Sequence, residues 1–210
     1  MSFPIVLVGG GGHARVVADI IKLIGKYHIV GFTDVCEESI LSIDGLTYLG
    51  KDEVLPELLK RGVSNAAIAV GFNNRLRHKL FSRCLDLGFE LPVLCHPKTV
   101  VAEGSIIGSG TVVMANAVIN PGVIIKENVI VNTGAIIEHD CEIGNSAQIG
   151  PGAVLCGSVK VEQEAFVGAG ACIIQGITVG AGALVGAGSV IIKDVPSGAT
   201  VVGNPGRIIR

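Results

Sequence analysis

The sequence contains no tryptophan, and aromatic residues of every kind make up only 4% of it. A layered globular core usually draws much of its buried area from large rings. A chain whose hydrophobic content still reaches 49% must therefore bury Val, Ile and Ala in a regular array. Charge is sparse as well: charged residues are 16% of the chain, the formal net charge is −2 and the pI is near 6.2. That balance excludes the basic surface that nucleic acid or an anionic membrane would select, and the high apolar fraction excludes disorder. The six cysteines, at 36, 84, 95, 141, 156 and 172, form no C-x-x-C pair and show no metal-ligand spacing. No charged segment followed by a long apolar one opens the sequence, and its apolar runs are broken by glycine far short of a membrane span. The expectation is a cytoplasmic, reduced, soluble protein that binds no metal, no nucleic acid and no membrane.

What the sequence has in abundance is a period of six. From Val101 through Ile107, Val113 and Ile119 to Val185 and Ile191, every sixth residue is aliphatic, sixteen positions without an exception. Four residues after each lies a small or β-branched residue, as at Ser105, Thr111, Ala117, Val123, Ala135, Cys141 and Ala147. Just before that second position stand Gly104, Gly110, Asn116, Gly122, Asn128, Gly134 and Asp140, the residue types that tolerate turn geometry. This is the hexapeptide β-solenoid signature: each hexapeptide gives a short strand and a corner, and three give a triangular coil of about 18 residues. Aliphatic side chains then stack in ladders inside the prism, which has no room for rings.

The first 95 residues follow other rules. Strands are expected at IVLVGG (5–10), HIVGFTD (28–34) and AAIAVG (66–71), and helices at HARVVADIIKLIG (13–25), DEVLPELLKRG (52–62) and NRLRHKLFSRCLDLG (74–88). Such alternation implies a parallel α/β unit. The boundary falls at CHPKT (95–99), dividing the chain into a Rossmann-like half-domain, 1–97, and an all-β hexapeptide-repeat solenoid, 98–210.

Two places carry chemistry. Gly9, Gly11 and Ala14 fit the pattern G-x-G-x-x-[GA] after a strand, and Asp34 ends the next strand. Glycines let a phosphate approach the backbone, the following helix N-terminus offers free N–H groups, and an acidic side chain takes ribose or base hydrogen bonds. A half-sized unit suits a mononucleotide, such as a nucleotide-linked sugar, better than NAD; a turn with no ligand is the plain alternative. His13 lies at the helix start, and Gly71, Asn73 and Asn74 form a polar turn at the same strand-end edge, whereas Arg75 and Arg77 read as helix-surface charge.

The second place is VNTGAIIEHDCEIG (131–144), which holds the one histidine of the hexapeptide region, His139, at a corner and not at an inward position. One coil further on stands Gly157, whose bare backbone can bring an N–H near whatever His139 activates. Acyl transfer from a thioester needs a base for the attacking amine or hydroxyl and a donor for the oxyanion. Asp140 or Glu138 can orient the histidine, and Asn132 can fix its tautomer. A zinc-dependent solenoid needs several histidines, and an acyl-cysteine route needs an activated thiol; Cys141 and Cys156 read as small filler.

Taken in order, GGHARVV, VGFNN, HPKTVV, VNTGAIIEHDCEIG, IGPGAVLCG and VVGNPGR resemble the sugar acetyltransferases of the sialic-acid O-acetyltransferase and PglD-like N-acetyltransferase family. The resemblance covers the whole chain. It implies a left-handed parallel β-helix, a homotrimer with active sites between neighbouring solenoids, acetyl-CoA as donor, and a nucleotide-linked 4-amino-4,6-dideoxy sugar, with UDP the expected nucleotide, or less often a sialic acid, as acceptor. Carried over by motif, His139 is the general base, Asp140 its acidic neighbour, Asn132 a contact of that histidine, and Gly157 the oxyanion donor. Gly11, Gly12, His13, Thr33, Asp34 and Gly71 hold the nucleotide-sugar, and Gln148, Ala169 and Ala187 contact acetyl-CoA. Gln148 stands where members often have histidine, and the tail reads GNPGR where G-x-P-A-[KR] is usual, leaving Arg207 to meet a CoA phosphate. A non-catalytic solenoid is the alternative from outside enzymology.

Overall fold

The computed structural model describes residues 2–35 and 45–210; Cys36 lies outside them. The chain divides into Met1–Pro97 and Lys98–Arg210.

In the first unit, strands β1 (Phe3–Val8), β2 (Tyr27–Thr33), β3 (Tyr48–Gly50) and β4 (Asn65–Ile68) form a parallel sheet in the order β3-β2-β1-β4. Helix α1 (Gly12–Ile24) returns the chain from β1 to β2. It presents Ala14, Val17, Ala18, Ile20 and Ile21 to the interior and stops at Gly25, which takes the left-handed conformation at φ 69° that glycine adopts without penalty. A 3-10 turn (Asp52–Val54) leads into α2 (Leu55–Lys60), and α3 (Asn74–Leu87) follows β4. The expected elements are present with ends displaced by a few residues; β3, three residues long, is an addition. Val6, Val8, Leu55, Ala66, Ile68, Phe81 and Phe89 pack into one core. Strand order reverses at β1, with β2 and β3 to one side and β4 to the other. In open α/β sheets, ligands bind at the carboxyl ends of strands at such a reversal.

In the second unit, two-residue strands recur every six residues from Val100 to Ile191 and stack as three parallel sheets; Thr200–Val202 extends the third and pairs antiparallel with Arg207–Ile208. The first face runs through Val100, Val118, Ile136, Val154, Cys172 and Val190, each followed by its inward partner, Val101 to Ile191. The second face carries Ile106, Ile124, Glu142, Lys160 and Thr178; the third carries Val112, Ile130, Gln148, Phe166, Leu184 and Thr200. Both positions of the hexapeptide code point inward: Ile119, Ile125, Val131, Ile137, Ile143 and Ile149 are fully buried, and so are Ala117, Val123, Ala135, Cys141 and Ala147. The corner residues explain the turn-tolerant column. Asn116, Asn128, Asp140, Ser146, Ser158 and Glu164 all sit near φ 60°, alternating with Gly104, Gly110, Gly122, Gly134 and Gly152. Two residues later the backbone N–H bonds a carbonyl one coil on, as for Ile136 to Ala153 at 2.9 Å.

Candidate active site

The corner after the first face holds the catalytic candidates. Asp140, turned into the left-handed region at φ 61°, brings its Oδ2 to 2.9 Å from His139 Nδ1. With Nδ1–H donating to the carboxylate, Nε2 keeps its lone pair and is free to accept a proton. Both side chains are more than three-fifths exposed. One coil on, Ser158 N–H donates to the His139 carbonyl at 2.9 Å, which sets Gly157 beside the imidazole. A Cβ built on Gly157 would lie 2.6 Å from His139 Cε1 and Nε2. Glycine is needed here for space, because the ring occupies the volume any side chain would take. Among the described residues no hydrogen bond takes up the Gly157 N–H, so this donor is available beside the reactive edge of the histidine.

The other expected members lie elsewhere on the prism. Asn132 is on the corner after the third face, where its Oδ1 accepts from Thr133 N–H at 2.8 Å. Ala169 and Ala187 are exposed and stacked on the same corner column, tied by Gly188 N–H to the Ala169 carbonyl at 2.8 Å. Gln148 is buried on the third face, between Ile130 and Phe166 in register. Within one chain, then, His139, Asp140 and Gly157 come together, while Asn132, Gln148, Ala169 and Ala187 are separated from them by the first face. Glu138 is not hydrogen-bonded to the imidazole; Asp140 fills that place.

Cys141 and Cys156 are unsuited to acyl transfer. Cys141 is fully buried, its Sγ donates to the Cys156 carbonyl, and burial pushes its pKa up to about 11. Burial also raises Cys156 above the ordinary range. Among the described residues no three His, Cys, Asp or Glu side chains gather as a metal site.

The first unit has a cavity of about 400 Å³ at the sheet's carboxyl edge, lined by Gly9, Gly10, Gly11, Gly12, His13, Asp34 and the segment Ala69–Phe72. Gly10 N–H donates to Asp34 Oδ2 at 2.7 Å, and Gly9 N–H to the Thr33 carbonyl at 2.9 Å, so the end of β2 braces the glycine turn. His13 packs against Gly71, where a Cβ would lie 3.0 Å from the histidine's own. Burial, and after it the Arg77 guanidinium, pushes His13 down to about 4, and its Nε2 is buried with no partner. A neutral ring with one unsatisfied nitrogen at a cavity wall is set up to meet a polar ligand.

Two expectations for this cavity need correction. Thr33 is fully buried and its hydroxyl donates to Asp52 Oδ1 at 2.6 Å, so it supports the strand end and is not part of this cavity's lining. Arg77 is not surface charge: it is 1% exposed, with Nη1 donating to the Gly71 carbonyl at 3.2 Å and to Asn74 Oδ1 at 2.8 Å. Asn73 caps α3 by accepting from Leu76 N–H. Both asparagines thus build the turn. Phe72, which the motif reading passed over, is the side chain that the turn presents.

Residues 4–84 match the PglD N-terminal domain, 122–157 the bacterial transferase hexapeptide and 158–193 the hexapeptide repeat of succinyl-transferase. No curated protein matches the chain. Among solved structures, PerB from Caulobacter crescentus, in complex with CoA and GDP-perosamine, is 38% identical with a TM-score of 0.93, covering 99% of this chain and 97% of its own. The chain belongs to the PglD/PerB-like family of hexapeptide-repeat nucleotide-sugar N-acetyltransferases. The acetyltransferase domain of PglB from Neisseria gonorrhoeae, in complex with acetyl coenzyme A, is 40% identical over the whole of both chains with a TM-score of 0.91. WeeI from Acinetobacter baumannii is 26% identical, with a TM-score of 0.77 over 99% of this chain and all of its own. For GDP-perosamine N-acetyltransferase from Caulobacter, variants with one histidine replaced by alanine or by asparagine are also among the similar structures. This PglD/PerB-like chain is an acetyl-CoA-dependent acetyltransferase acting on a nucleotide-linked amino sugar, and its solenoid is the left-handed hexapeptide β-helix. Among its described residues no helix is long and apolar enough to cross a membrane.

Proposed function

We propose that the chain acetylates the 4-amine of a nucleotide-linked 4-amino-4,6-dideoxy hexose by direct attack on acetyl-CoA, with His139 as general base. The observation that carries this reading is the corner itself: an imidazole with Nδ1 on Asp140, Nε2 open, and the Gly157 N–H beside it. The neutral amine attacks the thioester carbonyl, its N–H proton passes to Nε2, and the charge developing on the carbonyl oxygen meets the Gly157 N–H. The thiolate then leaves as the C–S bond breaks, with no acyl-enzyme. The glycine cavity of the first unit holds the nucleotide-sugar: Gly11 and Gly12 at the start of α1 take the diphosphate, Asp34 the ribose, and His13 and Gly71 the far side of the cavity.

Gln148, Ala169 and Ala187 serve acetyl-CoA from the corner and face on the other side of the first face, and Asn132 reaches the histidine of a neighbouring chain. One chain does not bring these groups to His139. Between the two corner columns the outer residues of the first face are Val100, Val118, Ile136, Val154, Cys172 and Val190, all apolar, whereas the second face carries the Glu142–Lys160 ion pair. An apolar face between two halves of a site supports a homotrimer with active sites between solenoids.

The test is acetyl-CoA turnover across UDP-, dTDP- and GDP-linked 4-amino sugars, with CMP-sialic acid included; the GDP-linked sugar bound by PerB makes the purine nucleotide a necessary member of the panel. His139→Ala should lower kcat/KM for the accepted sugar by about 10²–10⁴-fold without altering assembly. Near-normal turnover would overturn the assignment.

A further inference from the structure

Phe72 is 77% exposed although it is a wall of the nucleotide cavity. Leaving a phenyl ring in water is unfavourable, yet the surrounding chain is built to hold it there. Arg77, fully buried, ties down the carbonyl of Gly71 on one side of Phe72 and the side chain of Asn74 on the other. Asn73, immediately after it, is held at φ 136° while its side chain caps α3. The turn is fixed by one buried guanidinium and by the cap at Asn73, and the aromatic ring is what it displays.

The sheet order says which part of a ligand meets that ring. Asp34 follows β2, the glycine turn follows β1, and Phe72 lies beyond β4, with β2 and β4 on opposite sides of β1. Two strand spacings, about 10 Å, separate the ends of β2 and β4, with the start of α1 between them, and Asp34 and Phe72 line the same cavity. A diphosphate at that helix start has one substituent over β2 and the other over β4. The carboxylate of Asp34 suits the hydroxyls of a ribose. The remaining substituent, the hexose, then lies over Phe72.

We infer that Phe72 is the sugar-recognition residue of this enzyme: its ring packs on the apolar C–H face and the C6 methyl of the 6-deoxy hexose and selects against a C6 hydroxyl. Arg77 is the positioning residue that presents it. An apolar wall contributes only where the ligand is apolar, and a 4,6-dideoxy sugar has lost one of the hydroxyls that would otherwise be desolvated against it. The inference rests on the nucleotide-sugar reading of the cavity.

The experiment is calorimetric titration of the full chain and of Phe72→Ala and Phe72→Tyr with three probes. These are the bare nucleoside diphosphates UDP and GDP, their 4-amino-4,6-dideoxyhexose conjugates, and the 4-amino-4-deoxyhexose conjugates that keep the C6 hydroxyl. Phe72→Ala should weaken binding of the dideoxy conjugate about tenfold, leave the bare diphosphate unchanged, and erase the preference for the 6-deoxy sugar; Phe72→Tyr should restore most of the affinity. Equal weakening of the bare diphosphate would place the ring on the base and overturn the inference. So would unchanged binding of every probe. Failure of the parent chain to bind any diphosphate would overturn the nucleotide reading of the cavity itself, a separate result.

Discussion

The Cα of Gly157 lies against the imidazole of His139, so closely that an added methyl group would stand 2.6 Å from both Cε1 and Nε2. Gly157→Ala should therefore displace the ring from its bond to Asp140 as well as shift the N–H beside it. Turnover is expected to fall by 10²-fold or more, about the effect of losing one oxyanion donor, while far-ultraviolet circular dichroism stays that of the parent. Wild-type kcat in a folded variant would remove Gly157 from the mechanism.

His13 makes the first unit acid-sensitive. Its folded pKa, about 4, is below the 6.5 of the unfolded chain, so between those values the unfolded state binds a proton that the folded state refuses. Stability is thus unaffected above pH 6.5 and falls as the pH drops towards 4, by roughly 3 kcal/mol in all. His13→Gln should lose less stability than the parent between pH 7 and pH 4.5 in denaturant unfolding. Identical losses would show that the ring does not stay neutral.

The apolar first face should fail if charged. Val154→Lys, in the middle of the outer column, leaves the inward ladder of Leu155 untouched but puts an ammonium into any interface formed there. Light scattering should show the assembly reduced to monomers, with loss of acetyl transfer. A trimer of unchanged mass would direct the search for the interface to another face.

Cysteine chemistry is open to a direct check. Cys141 is buried and its thiol is pushed up to about 11, so almost none is ionised at neutral pH. Cys141→Ala and Cys156→Ala should each keep turnover of the same order as the parent, and iodoacetamide should not abolish it. Loss of turnover, or an acetyl group trapped on either sulfur, would point to an acyl-enzyme.

Much of this was legible in the residues because short-range rules govern it. The hexapeptide period gives the solenoid directly, since two residues in six enter the prism and one turns the corner at positive φ; Ile137 and Cys141 are buried, and Asp140 between them makes the turn. His139 was legible because a histidine at a corner has no packing role. Arg77 and Phe72 were not: on a helical wheel Arg77 is a polar residue in a polar run, and an exposed Phe72 breaks the rule by which apolar residues are assigned inside. Thr33 shows the reverse failure, a polar side chain at a strand end whose hydroxyl bonds Asp52, nineteen residues further on in sequence yet adjacent in the fold.

By itself the sequence determined the two architectures, the glycine turn and the histidine, because periodicity, turn chemistry and residue type are local properties. Only the tertiary structure decided which groups meet. It set Gly157 against His139 one coil away, gave the Nδ1 contact to Asp140 and not to Glu138, put Asn132 and Ala169 on another corner, and buried Arg77 beneath the turn that carries Phe72. Those choices follow from stacking and strand order, which join residues far apart in the chain.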